Sequence, residues 1–102
     1  DSILGNGAHL AAGAILSNLR FDQKPVSVRT ADGVFETGLR KLGAILADGA
    51  EAGCNVVLQP GTILGKRSAV APGLAYGGHL EAGRIAFWKP TLHAVDRRVL
   101  ER

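Results

Sequence analysis

Apolar residues recur every six positions through the second half of the chain, at Leu46, Ala52, Leu58, Leu64, Val70 and Tyr76. Four positions after the first five of these stand Ala50, Val56, Thr62, Ser68 and Leu74, most of them small. Just before those lie Gly49, Asn55, Gly61, Arg67 and Gly73. Gly and Asn tolerate the left-handed backbone that tight corners require. The first segment repeats the scheme with Leu4, Leu10 and Leu16, the small residues Ala8 and Ala14, and Gly7 and Gly13 before them. A period of six fits neither a helix at 3.6 nor a simple strand at 2. It predicts a triangular solenoid in which each hexapeptide supplies one short strand and one corner. The large residue points into the prism and the small one packs near the corner. Three hexapeptides close a coil of about 18 residues, and coils stack through parallel backbone hydrogen bonds. A β-sandwich of short Gly-rich strands is the rival, but its strands recur every 8–12 residues. The fold class is therefore all-β.

The register stops at Asn18 and resumes near Leu42. Between them Val26, Val28 and Thr30 alternate with polar residues, Asp32-Gly33 follows, and Val34 to Thr37 continue. This predicts an inserted β-hairpin with a type I′ turn at Asp32-Gly33. Such an excursion from a rigid scaffold commonly carries function. The organisation read from the sequence is a first coil at 1–17, truncated at its N-terminus, an insertion at 18–43, further coils at 44–83 and a capping tail at 84–102. That amounts to about two and a half coils. In the tail, Phe87 and Trp88 are expected to cover the last coil, whose edge would otherwise be bare. Leu92, Val95, Val99 and Leu100 stand at helical spacing and predict a short amphipathic helix within 92–102.

Fourteen Gly agree with many tight corners, and five aromatics leave the core to Leu, Val, Ile and Ala. A chain of 102 residues that is 46% apolar and 21% charged reads as one globular domain. No apolar run approaches the roughly 18 residues of a membrane helix, so no membrane partner is expected. The net charge of +3 is spread along the chain. It forms no dense basic run of the kind that binds nucleic acid, and favours an anionic ligand such as a phosphate. The single Cys54 excludes an internal disulfide and fits a reducing, cytoplasmic setting. No signal peptide is expected ahead of the domain. The chain holds no Met and opens at Asp1 inside an apolar repeat, which reads as a piece of a longer protein.

The segment GAILSNLRFDQKPVSV is more specific than the repeats, as is GLRKLGAILADGAEAGCNV. With the hexapeptides around them, residues 1–80 resemble the C-terminal domain of bifunctional sugar-1-phosphate nucleotidylyltransferases from archaea and bacteria. The resemblance implies a left-handed parallel β-helix; periodicity alone does not reveal handedness. It implies acetyl-CoA as cosubstrate, an amino-sugar phosphate as acceptor and a homotrimer with active sites between subunits. Asn18 matches an active-site Asn that helps hold the sugar phosphate and the acyl donor. Lys24 matches a loop Lys near the sugar phosphate, while a second family Lys falls where Ser27 stands. Cys54 occupies a small-residue site beside the pantetheine arm, and Ala71 and Pro72 a site whose backbone contacts the cofactor. Arg40, Lys41, Lys66 and Arg67 are basic candidates for the CoA phosphates, with Lys89 reaching them from the tail. The family's catalytic His, and a Tyr close behind it, would precede Asp1.

The implied chemistry is acyl transfer: a base takes a proton from the substrate amine as it attacks the thioester carbonyl. Backbone N–H groups and Asn18 would stabilise the oxyanion. His9, at a corner, His79 and His93 are lone histidines, and such residues are usually structural. Their spacing is too long for the zinc triad of carbonic anhydrases with this type of fold, so no metal is expected. Plainer readings stand beside each assignment. Asn18 reads equally as the cap of the corner where the hairpin leaves, and Lys24, Lys66 and Arg67 as solvated charges. Cys54 reads as a small packing residue. The functional rival to an acetyltransferase is a non-catalytic module that trimerises or regulates a nucleotidyltransferase.

Overall fold

The computed structural model describes residues 1–99. Its short strands are β1 (Ile3–Leu4), β2 (His9–Leu10), β3 (Ile15–Leu16), β6 (Ile45–Leu46), β7 (Glu51–Ala52) and β8 (Val57–Leu58). They continue with β9 (Ile63–Leu64), β10 (Ala69–Val70), β11 (Ala75–Tyr76), β12 (His79–Leu80) and β13 (Ile85–Ala86). The two longer strands, β4 (Ser27–Thr30) and β5 (Gly33–Glu36), belong to the insertion. All short strands pair in parallel and in register, forming three faces: β1-β6-β9-β12, β2-β7-β10-β13 and β3-β8-β11. Ile45 pairs with Ile63 and Glu51 with Ala69, 18 positions on. This is the left-handed parallel β-helix that the hexapeptide register and the resemblance imply. Three full coils and two strands of a fourth are present among the described residues, one coil more than the period suggested.

The corners explain why the sequence folds this way. Eight of those described are tight turns whose third residue is left-handed: Gly7, Gly13, Gly49, Asn55, Gly61, Arg67, Gly73 and Gly83, at φ between 52 and 80°. The next N–H closes the turn, as in Ala50 to the Ala47 carbonyl at 3.1 Å and Thr62 to that of Gln59 at 3.2 Å. A left-handed third residue is what type II turns require, and such turns also favour Pro in second place. Pro60 and Pro72 stand there. The left-handed residues then donate to the coil below: Gly49 to Asn6 O, Arg67 to Asp48 O and Gly73 to Cys54 O.

The predicted inward residues are the core. Leu46, Ala52, Leu58, Leu64 and Val70 are buried, as are Ala50, Val56, Thr62, Ser68 and Leu74. The first coil pairs on one edge only, so Leu4 stays exposed and Leu10 and Leu16 half-buried.

Ile3 pairs with Ile45, 42 positions on instead of 18, so the insertion adds 24 residues to this coil. Its root is closed by Leu42 N–H to Asn18 O at 3.0 Å and a bridge between Leu19 and Lys41. Its strands β4 and β5 are antiparallel, as expected, but Thr30 pairs with Gly33. The turn is therefore centred on Ala31 and Asp32, one residue earlier than expected, and neither has the positive φ of type I′. The Thr30 hydroxyl captures the Asp32 N–H at 3.2 Å, stabilising the turn that displaces Asp32-Gly33 from its centre.

Three other expectations change. The stretch assigned to the tail begins inside the β-helix, because Ile85 and Ala86 pair with Ala69 and Val70. Phe87 and Trp88 do not cover the last coil; both are exposed, and Lys89 Nζ lies 5.7 Å from the centre of the Phe87 ring. Of the helix expected within 92–102, the described part is one 3-10 turn at Arg97–Val99, and residues 100–102 lie outside the described residues.

Candidate functional site

Three corners separate the three faces, and the candidate residues divide among them. The first corner, leading from the β9 face to the β10 face, carries Lys66 and Arg67. Both are exposed, beside Asp48 and Gly49 of the coil below. The second corner carries Cys54 in one coil and Ala71-Pro72 in the next. Stacking here is close: a Cβ on Gly53 would come within 2.8 Å of Pro72 N. The Cys54 thiol is free and exposed. The third corner carries Asn18 and the insertion. Asn18 is half-buried, and its Nδ2 donates to Asp1 Oδ2 at 2.7 Å. One chain therefore brings Cys54, Ala71 and Pro72 together, but holds Asn18 and the Lys66-Arg67 pair on other corners.

A hollow lies at the third corner. It is open, about 410 Å³ in volume, and lined by Arg20, Phe21, Asp22, Ser27, Gln59 and Pro60. The insertion reaches it because Gly61 is bare: a Cβ there would collide with Ser27 O and Val26 Cγ1. On the other side the corner of the next coil is shortened. His79 pairs with Ile63 only 16 positions away, the saving falling at Gly77-Gly78. Gly77 rests on the Gln59 side chain, where a Cβ would approach within 3.3 Å.

The loop entering the hollow is ordered by its own hydrogen bonds. Arg20 Nε and Nη2 donate to Asp22 Oδ1 and Oδ2 at 2.9 and 2.5 Å. Lys24 N–H donates to Asp22 Oδ1 at 3.1 Å, and Gln23 N–H to Arg20 O at 2.9 Å. Gln23 is left-handed at φ 60°. The Arg20 guanidinium, and then the Lys24 amide, hold the Asp22 carboxyl below its ordinary pKa. Lys24, the cation expected in the site, is exposed and does not line the hollow. Arg20, Asp22 and Gln59 were not singled out from the sequence; an Arg and an Asp two apart before a loop Lys was the available signal.

The histidines are dispersed. His9 is a strand residue, not a corner residue, and is exposed beside its register partner Glu51. They line a shallow groove of about 260 Å³ that runs to Ala71 and Pro72. His79 is half-buried on β12 beside Glu81 and Arg84, and His93 is exposed in the tail. Among the described residues no three His, Cys, Asp or Glu side chains are grouped to hold a metal ion. Among them, too, no helix is long and apolar enough to cross a membrane.

A solenoid of hexapeptides with a hollow beneath an inserted hairpin defines a class, and comparison with known proteins narrows it. No family model matches the chain. An uncharacterized acetyltransferase of Escherichia coli K12, YaiX, is 36% identical over 94% of the chain. A bifunctional sugar-1-phosphate nucleotidylyltransferase/acetyltransferase of Sulfurisphaera tokodaii is 36% identical over 72% of it. The bifunctional protein GlmU of Methanococcus maripaludis C7 is 33% identical over 96%. The chain spans 42, 18 and 24% of these relatives' lengths. It belongs with the C-terminal hexapeptide-repeat acetyltransferase domains of this group, the family that the Asn18 and hairpin segments resemble.

Proposed function

We propose that the chain is the acyl-transfer module of a larger protein, using acetyl-CoA as donor and an amino-sugar phosphate as acceptor. The observation that carries this reading is the match of almost the whole chain, insertion included, to an acetyltransferase and to GlmU. The hollow under the insertion supports it, offering Arg20, Ser27 and Gln59 as hydrogen-bonding groups beside the rings of Phe21 and Pro60. In this reading the sugar phosphate enters at the third corner near Asn18 and Lys24. The pantetheine arm runs past Cys54, Ala71 and Pro72, and Lys66, Arg67 and Lys89 face the CoA phosphates. The amine attacks the thioester carbonyl, a base accepts its proton, and the CoA thiolate leaves. Donor and acceptor residues on separate corners suit a parallel homotrimer, in which the second corner of one subunit faces the third corner of the next.

The single cysteine provides the test. Alkylation of Cys54 by N-ethylmaleimide should slow markedly with saturating acetyl-CoA, whose sulfur is blocked as a thioester, and not with an equal concentration of acetate. An unchanged rate would remove the acyl donor from this corner.

A further inference from the structure

We infer that Arg20 is an anion-binding residue of the third-corner hollow, held in waiting by Asp22 until a phosphomonoester displaces the carboxylate. The inference rests on the reading of the hollow as an acceptor site and deepens it.

Among the described residues, Arg20 is the only cation lining the hollow, whose remaining walls are Phe21, Asp22, Ser27, Gln59 and Pro60. Its guanidinium is held across two oxygens of Asp22, an arrangement that fixes the plane of the fork. Both side chains remain over a third exposed, at 38 and 40%. Ion pairs so open to water contribute little net stability and exchange readily for a better anion. A phosphomonoester carries close to two negative charges near neutrality, against one on a carboxylate, and accepts the same two-pronged contact.

Asp22 has a second duty that survives the exchange. Its Oδ1 also accepts the Lys24 N–H, and the turn is closed separately by Gln23 N–H on Arg20 O. Releasing the guanidinium therefore leaves the loop shaped. The left-handed Gln23 marks a backbone held in an unfavoured conformation to make this turn. Phe21, fully exposed at the rim, offers an apolar ring beside the charge, the combination that suits a phosphorylated sugar.

The two partners should respond with opposite sign. Asp22→Asn keeps an oxygen for the Lys24 amide but removes the competing charge. Calorimetric titration of the chain with glucosamine-1-phosphate, inorganic phosphate, CoA and dephospho-CoA reads the effect. Arg20→Gln should weaken glucosamine-1-phosphate and phosphate on the order of tenfold. Asp22→Asn should tighten both several-fold, and should do nothing once Arg20 is Gln. If the gain falls on CoA and not on dephospho-CoA, the anion site stands and the phosphate it takes is the donor's. If Asp22→Asn weakens binding or leaves it unchanged, if it acts equally without Arg20, or if no phosphomonoester binds, the inference is overturned. Acetyl-CoA protection of Cys54 reports on the donor site independently, so failure of the anion site is distinguishable from failure of the acetyltransferase reading.

Discussion

Leu4 and Leu46 are register partners on adjacent coils, yet Leu4 is 49% exposed and Leu46 only 1%. They occupy the same place in the hexapeptide, so the difference is positional. Leu46 lies between coils, and Leu4 has a coil on one side only. Truncation should follow the same division. Leu58→Ala, in a fully buried site, should cost about 2–5 kcal/mol. Leu4→Ala should cost well under half as much. Urea unfolding midpoints of the two variants, compared with wild type, give the ratio, and equal losses would mean that Leu4 is covered in solution.

The first corner offers a strain test. Gly7, Gly49 and Gly83 hold its left-handed position in three coils, whereas the other coil places Arg67 there at φ 52°. A residue with a Cβ pays about 1–2 kcal/mol for that conformation. Arg67→Gly should therefore raise stability by up to about 1 kcal/mol, less the added freedom of the unfolded chain. Gly49→Ala should lower stability for two reasons. Its φ is +70°, and the new methyl would sit 3.0 Å from Arg67 Cγ. Thermal melts should rank Arg67→Gly above wild type and Gly49→Ala below it.

Ser68 and Thr62 occupy equivalent inward positions and differ in one bond. Thr62 Oγ1 donates to Gln59 O at 2.6 Å, while Ser68 Oγ is buried without a hydrogen-bond partner among the described residues. An unsatisfied buried hydroxyl costs about 1–3 kcal/mol. Ala50 fills the same place one coil below, so Ala fits. Ser68→Ala should raise the melting temperature by several degrees, at about 4–8 °C per kcal/mol for a domain of this size. Thr62→Ala should lower it. A clear fall for Ser68→Ala would reveal a partner for that hydroxyl.

The contrast between core and site explains what was legible in the sequence. Leu46, Leu58 and Leu64 could be placed because every hexapeptide imposes the same inward direction, so the register repeats its own message. The left-handed corners followed from Gly and Asn in fixed positions, and extended even to Arg67. The hairpin strands were legible from alternation, but not their turn, because Thr30 Oγ1 decides it by a bond that no period predicts. The extent of the last coil was hidden by the two residues saved at Gly77-Gly78, which shift Ile85 out of the six-residue count. The site was least legible. Asn18 was placed at the hollow's corner, but the pairing of Arg20 with Asp22 is a loop geometry without periodicity. That pairing, and not Lys24, lines the hollow.

Asp22 gives a pH prediction. Its carboxyl titrates below the ordinary value because Arg20, then the Lys24 amide, favour the charged form. A depressed folded pKa contributes stability above the unfolded value, and that contribution is lost as pH falls through the folded pKa. The Asp22 carboxyl carbon resonance, followed by NMR as pH falls, should move at a pH below the ordinary aspartate value. Arg20→Gln should shift the midpoint back upward, and Lys24→Ala should shift it much less, because Lys24 acts mainly through its backbone amide and its charge is the smallest contribution. A midpoint insensitive to Arg20→Gln would mean that the pair does not persist in solution.

The last prediction concerns assembly. Cys54, Ala71 and Pro72 share the second corner, while Asn18 and the Arg20 hollow belong to the third. If donor and acceptor sites are to meet, the second corner of one subunit must face the third corner of another. Outward residues on the other two faces are apolar enough to allow such contact: Ile3, Ile45 and Ile63 align on one, and Ile15, Val57 and Ala75 on the other. A ligand that spans two subunits binds the assembly better than the free chain, so it must also tighten the assembly. Sedimentation equilibrium should give a trimer whose dissociation falls to lower protein concentration when acetyl-CoA is added. Glucosamine-1-phosphate together with CoA should tighten it further, since the pair would cover both corners. Arg20→Gln should remove the increment due to the sugar phosphate and leave that due to CoA. A monomer that binds acetyl-CoA with an affinity independent of protein concentration would show that one chain holds the donor site alone.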